Sequence, residues 1–520
     1  MDAIEGLLLG FNVALSPQNL LMVFLGVLLG TTIGVLPGLG TVAGAALVLP
    51  LTFSLDPAAG LMMIAGIYYG AMYGGSVTSI LLNVPGEAAS VVATFDGYEL
   101  SKQGRAGAVL FITTIGSFIA GTGTAILVTF FAPSLAEVGI LFGPSEFFAL
   151  ITASLLVLST VSGGGLLSNL YPLSLGLIVG TVGQEPVSAL SRFTFGYAPL
   201  SQGIDIVPVA VGAFGVAELM ILAEGPLRAS AIRRVRLRDL RPSRNELQRS
   251  LMPWLRGTAV GGFFGLLPGP SATMSTFSSY RIEKSVSRHR KELGTGAIEG
   301  VAGPEAANNA AATSSIVPIL CLGIPFSATL ALMLSAMMVH GVQPGPTLIL
   351  DHPEIFWGVI ASIFMGNVML VLLNLPMIGI WVNALRMPKP FLITIILLCA
   401  VVGSFSVNNS MLDVYLLFWF GMLGYLFKKI GFQLAPLILG VILGPFMEKY
   451  LLQSLAIGRG SMEYLFFSSP ITITIWGCAA AATLFAIAIS LRRTSTRAAR
   501  SDEVDADEVD SESSPSESNR

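Results

Sequence analysis

Residues 26–38 read GVLLGTTIGVLPG, and residues 257–269 read GTAVGGFFGLLPG. Gly26, Gly30, Gly34, Leu36, Pro37 and Gly38 return as Gly257, Gly261, Gly265, Leu267, Pro268 and Gly269, each displaced by 231 positions. Six identities in thirteen ungapped positions mark an internal repeat. Glycine at every fourth residue lays a smooth stripe along one helical face, where a second backbone can come close. The Leu-Pro-Gly that follows ends the helix, because proline lacks the N–H donor and glycine admits a turn. A looser echo lies downstream in each half: Thr78-Ser79-Ile80 leads to Val84-Pro85-Gly86, and Ser314-Ser315-Ile316 leads to Ile324-Pro325-Phe326.

Outward from these motifs the chain is apolar. Of 520 residues, 53% are hydrophobic and 11% charged, with a mean hydropathy of +0.77, whereas soluble domains carry about 25% charged residues. Residues 107–132 and 355–385 contain no charged side chain, which suits spanning helices of about 20 residues rather than the short alternating strands of a barrel. The expected fold is an all-α polytopic membrane protein with about 12 membrane segments (range about 10 to 14) in two inverted repeats carrying broken helices or re-entrant hairpins. The domain plan places a first transmembrane repeat at 1–227, a basic linker at 228–250, a second repeat with C-terminal helices at 251–491 and a disordered tail at 492–520.

Charge sets the orientation. Nine arginines fall in residues 228–256, so this segment is expected in the cytoplasm, as is the tail, which starts basic and becomes rich in Asp, Glu and Ser. In the second half the stretch between the two motifs is basic (Arg281, Lys284, Arg288, Arg290, Lys291), and the stretch after the second motif, 340–354, has no Lys or Arg. In the first half the bias reverses: 53–60 has none, and Lys102 and Arg105 follow the second motif. Equivalent loops facing opposite sides are what an inverted repeat requires. The first ten residues lack the basic start of a secretory signal, so they are expected to be retained.

The chemistry is expected where helices break. A break at membrane depth frees backbone groups, which is tolerated only against protein or a watery cavity. Pro37, Gly38 and Gly40, then Pro85 and Gly86, then Pro268, Gly269 and Ser271, then Pro325 give four such breaks at matching places. Small polar residues gather there. Ser76, Asn83, Pro85, Gly86, Gly323, Pro325 and Ser327 are candidates for holding a carboxylate, and Thr78, Ser79, Asn308, Asn309 and Thr313 for holding a cation. Glu305 is a candidate ionisable site, since an acid inside a membrane segment is functional by default. No Lys or Arg precedes Lys102, and none lies between Lys291 and Arg386. An anion would therefore rest on helix N-termini and a bound cation rather than on basic side chains.

Cys321, Cys399 and Cys478 stand singly in apolar stretches and read as buried packing, and the three histidines are scattered, so no metal site beyond a possible sodium and no cofactor is expected. An intramembrane enzyme built on Gly269-Pro270-Ser271-Ala272 lacks a nearby base. Nucleic-acid binding is set aside because the arginine-rich segment has no interleaved aromatics. A passive channel or stand-alone carboxylate permease is the alternative to a coupled carrier.

Residues 66–110 (GIYYGAMYGGSVTSILLNVPGEAASVVATFDGYELSKQGRAGAVL) and 299–334 (EGVAGPEAANNAAATSSIVPILCLGIPFSATLALML) resemble the two signature regions of the large membrane subunit of tripartite tricarboxylate transporters. GVLPGLG at 34–40 and HGVQPGP at 340–346 are similar to further motifs of that family, and Phe326 stands where the family pattern carries glycine. The resemblance implies a permease of the bacterial inner membrane that takes a carboxylate from a periplasmic solute-binding protein, works with a small membrane subunit and is driven by a sodium or proton gradient. Citrate, other tri- or dicarboxylates and less related solutes all fit.

Overall fold

The computed structural model describes residues 2–36, 40–161, 166–185, 190–224, 237–384 and 389–484. Pro37 and Gly38, most of the arginine-rich linker and the 492–520 tail lie outside them. Helices α1 (Ala3–Ala14), α2 (Pro17–Val35), α3 (Gly40–Thr52), α4 (Pro57–Leu82), α5 (Val91–Lys102) and α6 (Ala106–Ile140) are followed by α7 (Pro144–Val161), α8 (Leu166–Gly180), α9 (Ile206–Ala210) and α10 (Ala217–Glu224). After the linker come α11 (Arg244–Gly265), α12 (Ser271–Val286), α13 (Glu299–Ser314), α14 (Ile316–Leu322), α15 (Ala328–Val339), α16 (Leu348–Asp351) and α17 (Pro353–Asn374). The C-terminal part holds α18 (Ile378–Ala384), α19 (Lys389–Asn408), α20 (Met411–Lys429), α21 (Ala435–Ile457) and α22 (Glu463–Phe467). The described strands are the antiparallel pair Gly183–Gln184 and Ser191–Arg192.

The molecule is thus an all-α polytopic bundle. Six helical stretches are long and apolar enough to cross a membrane: Pro17–Val35, Ala106–Ile140, Ile206–Glu224, Pro353–Asn374, Met411–Lys429 and Ala435–Ile457, with shorter apolar helices beside them. Local signals start these helices where the sequence places them. Asp2 and Glu5 close a capping box on α1, Ser16 accepts from Asn19 N ahead of Pro17, and Ser243 and Glu246 box the start of α11. Leu8, Phe130, Phe131, Leu372 and Trp419 stay exposed on the outside, as side chains that face lipid do. Of the cysteines, Cys321 is buried, whereas Cys399 and Cys478 are exposed, which corrects the expectation of uniform burial.

The glycine stripes decide the packing. A methyl group added at Gly26, Gly30 or Gly34 would collide with the carbonyl oxygens of Met63, Ile67 and Ala71 in turn. Contacts that advance together in steps of four mean that α2 and α4 run parallel with their backbones touching. The same addition at Gly257, Gly261 or Gly265 would strike the carbonyls of Gly303, Ala307 and Ala311, so α11 lies on α13 in the same way. Since both partners run parallel, the chain must return between them. α3 does so in the first case and α12 in the second, each packing on both neighbours.

These two assemblies meet head to tail. Tyr68 reaches Ser315, Ser76 reaches Glu305, and Gly97 lies beside Val301, so α4 and α5 run antiparallel to α13 and α14. At one end of the bundle Gln103 Nε2 donates to Thr295 O at 3.3 Å. There the buried Asp96 accepts from the N–H groups of Gly294, Gly296 and Ala297, each at 2.8 Å, and from the Tyr280 hydroxyl at 3.0 Å. At the other end the Phe53 ring packs edge-on against His340 at 6.4 Å.

Candidate functional site

α4 and the antiparallel α13–α14 pair each end in a left-handed residue. α4 stops at Asn83, which takes a left-handed φ of 59°, and a short turn through Pro85 and Gly86 leads into α5. On the other side α14 stops at Gly323 with φ 69°, and Ser327 restarts the chain by accepting from Leu330 N at 3.3 Å. An asparagine or glycine ends each helix because other residues are strained in the left-handed conformation.

The two breaks differ in enclosure. Asn83, Val84 and Pro85 are exposed, whereas Ile324, Pro325 and Phe326 are buried. Pro325 and Phe326 line a small cavity with Pro268, Gly269, Leu155, Leu158, Leu439 and Leu443. Gly40, at a left-handed φ of 63°, starts α3 opposite Gly86 O. Ser271 begins α12, its N–H donating to Gly269 O at 2.8 Å. Each returning helix therefore begins beside the break of the helix it accompanies.

Between the breaks lies a polar centre. Glu305 is buried on α13 and accepts a hydrogen bond from Ser76 Oγ of α4. Glu87, just after the first break, is partly buried and within repulsive reach of Glu305. Thr41 and Asn308 face the Glu87 carboxyl, and Thr329 Oγ1 donates to Thr41 Oγ1 at 3.3 Å. The Tyr68 hydroxyl lies 3.4 Å from Ser315 Oγ and also faces Ser327. Oxygen atoms from α3, α4, α13 and α15 and from the first break thus converge around two acids.

Some predicted residues join this centre and others serve the helices. Ser76, Asn308, Ser327 and Glu305 are in it. Thr78 and Ser79 are buried beside it, their hydroxyls donating to Gly75 O at 2.9 Å each. Asn309 is turned away: its amide donates to Ser117 Oγ at 2.7 Å and to Glu305 O at 3.2 Å, which ties α13 to α6. Thr313 is buried on the same helix. Glu87, Tyr68 and Thr329 are the residues that sequence reasoning passed over. Glu87 had a visible signal, being the one charged residue between Asp56 and Asp96 and following Pro85-Gly86 directly.

At the Gln103 end, ion pairs hold the helices. Arg249 donates to Glu299 at 2.8 and 2.7 Å and to Glu292 at 2.7 Å, and Arg256 grips the buried Glu283 at 2.8 and 2.6 Å. Burial works against ionisation of Glu299, but Arg249, a backbone N–H and His289 together outweigh it and hold the carboxyl below its ordinary value.

Comparison with known proteins agrees with this architecture. The chain is 44% identical over 493 residues to an uncharacterized 52.8 kDa protein of the TAR-I ttuC' 3' region of Agrobacterium vitis, covering 95% of this chain and 98% of that protein. A second Agrobacterium vitis protein, from the TAR-II ttuC' 3' region, is 43% identical over 232 residues, 45% of this chain and 96% of its own length. No solved structure matches. Residues 20–439, which include both glycine stripes, both breaks and the two acids, match the tripartite tricarboxylate transporter TctA family, and the chain is a membrane permease belonging to that family.

Proposed function

We propose that this permease imports a tri- or dicarboxylate across the bacterial inner membrane, coupled to an inward sodium gradient, through the polar centre between the two breaks. One observation carries this reading. Two acids, Glu87 and Glu305, stand within repulsive reach in that centre, while α1 to α4 and α13 to α17 contain no Lys or Arg. Two acids in a low-dielectric site ionise only if positive charge accompanies them, and an anionic solute would add to that need. A cation that enters with the solute meets it.

The substrate carboxylate is placed at Ser76, Asn83, Pro85, Gly86, Gly323, Pro325 and Ser327, beside the N-terminal ends of the segments that follow each break. The cation is placed at Asn308, with Thr78, Ser79 and Thr313 around it, and Asn309, turned to Ser117, is left out of the site. About 12 membrane segments in two inverted repeats fit the matched glycine stripes and the head-to-tail meeting of α4 with α13. The arginine-rich linker and the tail are cytoplasmic in this scheme. A periplasmic solute-binding protein delivers the substrate, and a small membrane subunit completes the transporter, as the family's tripartite name supports.

The test is uptake of labelled di- and tricarboxylates into proteoliposomes holding the permease, the small subunit and the binding protein. Accumulation is expected only with sodium higher outside. Equilibration that ignores the gradient would make the protein a passive channel, and accumulation without the binding protein would make it a stand-alone permease.

A further inference from the structure

We propose that a sodium ion binds between Glu87 and Asn308, with the Thr41 hydroxyl as a third oxygen ligand and Glu305 as the second negative charge of the site. The proposal deepens the transport function above by giving its coupling ion specific ligands, and it adds Glu87, an acid outside the residues so far assigned to the cation.

Asn308 is fully buried on α13, yet neither its Oδ1 nor its Nδ2 has a hydrogen-bond partner among the described residues. Buried amides are almost always satisfied, because an unpaired one is destabilising. Glu87 Oε1 is enclosed and also without a partner. Asn308 and Thr41 lie within interaction distance of the Glu87 carboxyl, yet neither Asn308 nor Glu87 Oε1 completes a well-formed hydrogen bond. Buried oxygens of Glu87 and Asn308 that lack well-formed partners can turn toward a small ion.

Ligand chemistry selects the ion. A carboxylate, an amide oxygen and a hydroxyl are hard donors, which suits an alkali or alkaline-earth cation rather than a soft metal. Glu305 Oε2 is taken by the Ser76 hydroxyl, so Glu87 supplies the ligating carboxylate. Calcium or magnesium would ask for more oxygens or a stricter octahedron.

The ligands also span the moving parts. Thr41 starts α3, Glu87 follows the first break and Asn308 lies on α13, so the ion would tie three segments together. Thr329 on α15 joins through its hydrogen bond to Thr41. Before sodium binds, the two acids repel an approaching carboxylate. Afterwards they do so less, which makes sodium first in the binding order.

Sodium alone tests the site. Labelled sodium is titrated onto the purified full-length permease with no carboxylate present, and sodium-dependent melting is followed in parallel. The parent protein is expected to bind saturably and to melt at higher temperature with sodium. Glu87→Gln should lose both responses, Glu87→Asp should keep weakened binding, and Glu305→Gln should bind about tenfold more weakly, since it removes charge and no ligand. Monodisperse elution of each variant shows that it is folded. Parental affinity in Glu87→Gln, or no specific binding by the parent, overturns the proposal. A parent that binds sodium but moves no carboxylate would sink the transport function and leave this site standing.

Discussion

Glu305 and Ser76 come from segments 229 positions apart and bond inside the bundle. Replacing Glu305 with leucine should leave the Ser76 hydroxyl buried and unpaired, a loss of about 1–3 kcal/mol, whereas glutamine keeps an acceptor there. The expected outcome is a clear drop in melting temperature for Glu305→Leu and a small one for Glu305→Gln; equal drops would show that Ser76 has another partner. Asn83 makes a separate prediction, since its φ of 59° is left-handed. Asn83→Gly should melt as the parent does, and Asn83→Val should be destabilised by about 1–2 kcal/mol. At this scale the sequence was only partly legible. Glu305 stood out as an acid in an apolar run, but Asn308 and Asn309 look alike in sequence. Only three-dimensional packing separates the amide bonded to Ser117 from the one left unpaired.

The elements rest on close backbone approach. Gly261 meets Ala307 O, while its neighbour Gly262 has open space around it. Gly261→Leu should therefore abolish accumulation of folded protein, and Gly262→Leu should be close to neutral; fluorescence-detected gel filtration of the two variants compares them directly. A similar yield for both would mean that α11 and α13 do not touch as described. Glu299 adds a pH dependence. Its carboxyl is held below the ordinary 4.5, so the stabilisation is fully present above that value and is lost as pH falls through the lower folded value. Melting temperature in detergent should fall more steeply below about pH 4.5 for the parent than for Glu299→Gln. The stripes were legible because a four-residue glycine period has one geometric meaning. The partner face of α4 was legible too, since Gly66, Gly70 and Gly74 keep the same period and meet Val23, Val27 and Gly34, whereas α13 meets α11 through Ala306, Ala310 and carbonyls, which carry no such signature.

At the scale of the whole molecule, two parallel-packed assemblies meet head to tail, and the orientation proposed above puts the arginine-rich linker in the cytoplasm. Single cysteines at Lys102 and Arg288 should label from the cytoplasmic face, and cysteines at Asp56 and Gln343 from the opposite face. Deleting residues 501–520 should leave uptake nearly unchanged, because an acidic tail of that composition contributes no packing. Fold class and the matched breaks could be read from the sequence, since apolar length and the Pro-Gly pairs act locally. The meeting of α4 with α13 at Ser76 and Glu305 could not, because it joins residues 229 positions apart. That meeting is the centre of the account. Its most direct test is sodium-driven carboxylate uptake by the parent and by Glu305→Gln in matched proteoliposomes. The parent should accumulate solute above equilibrium, and the folded variant should lose about tenfold or more of that rate. Uptake by Glu305→Gln at the parental rate with parental sodium dependence would contradict the account.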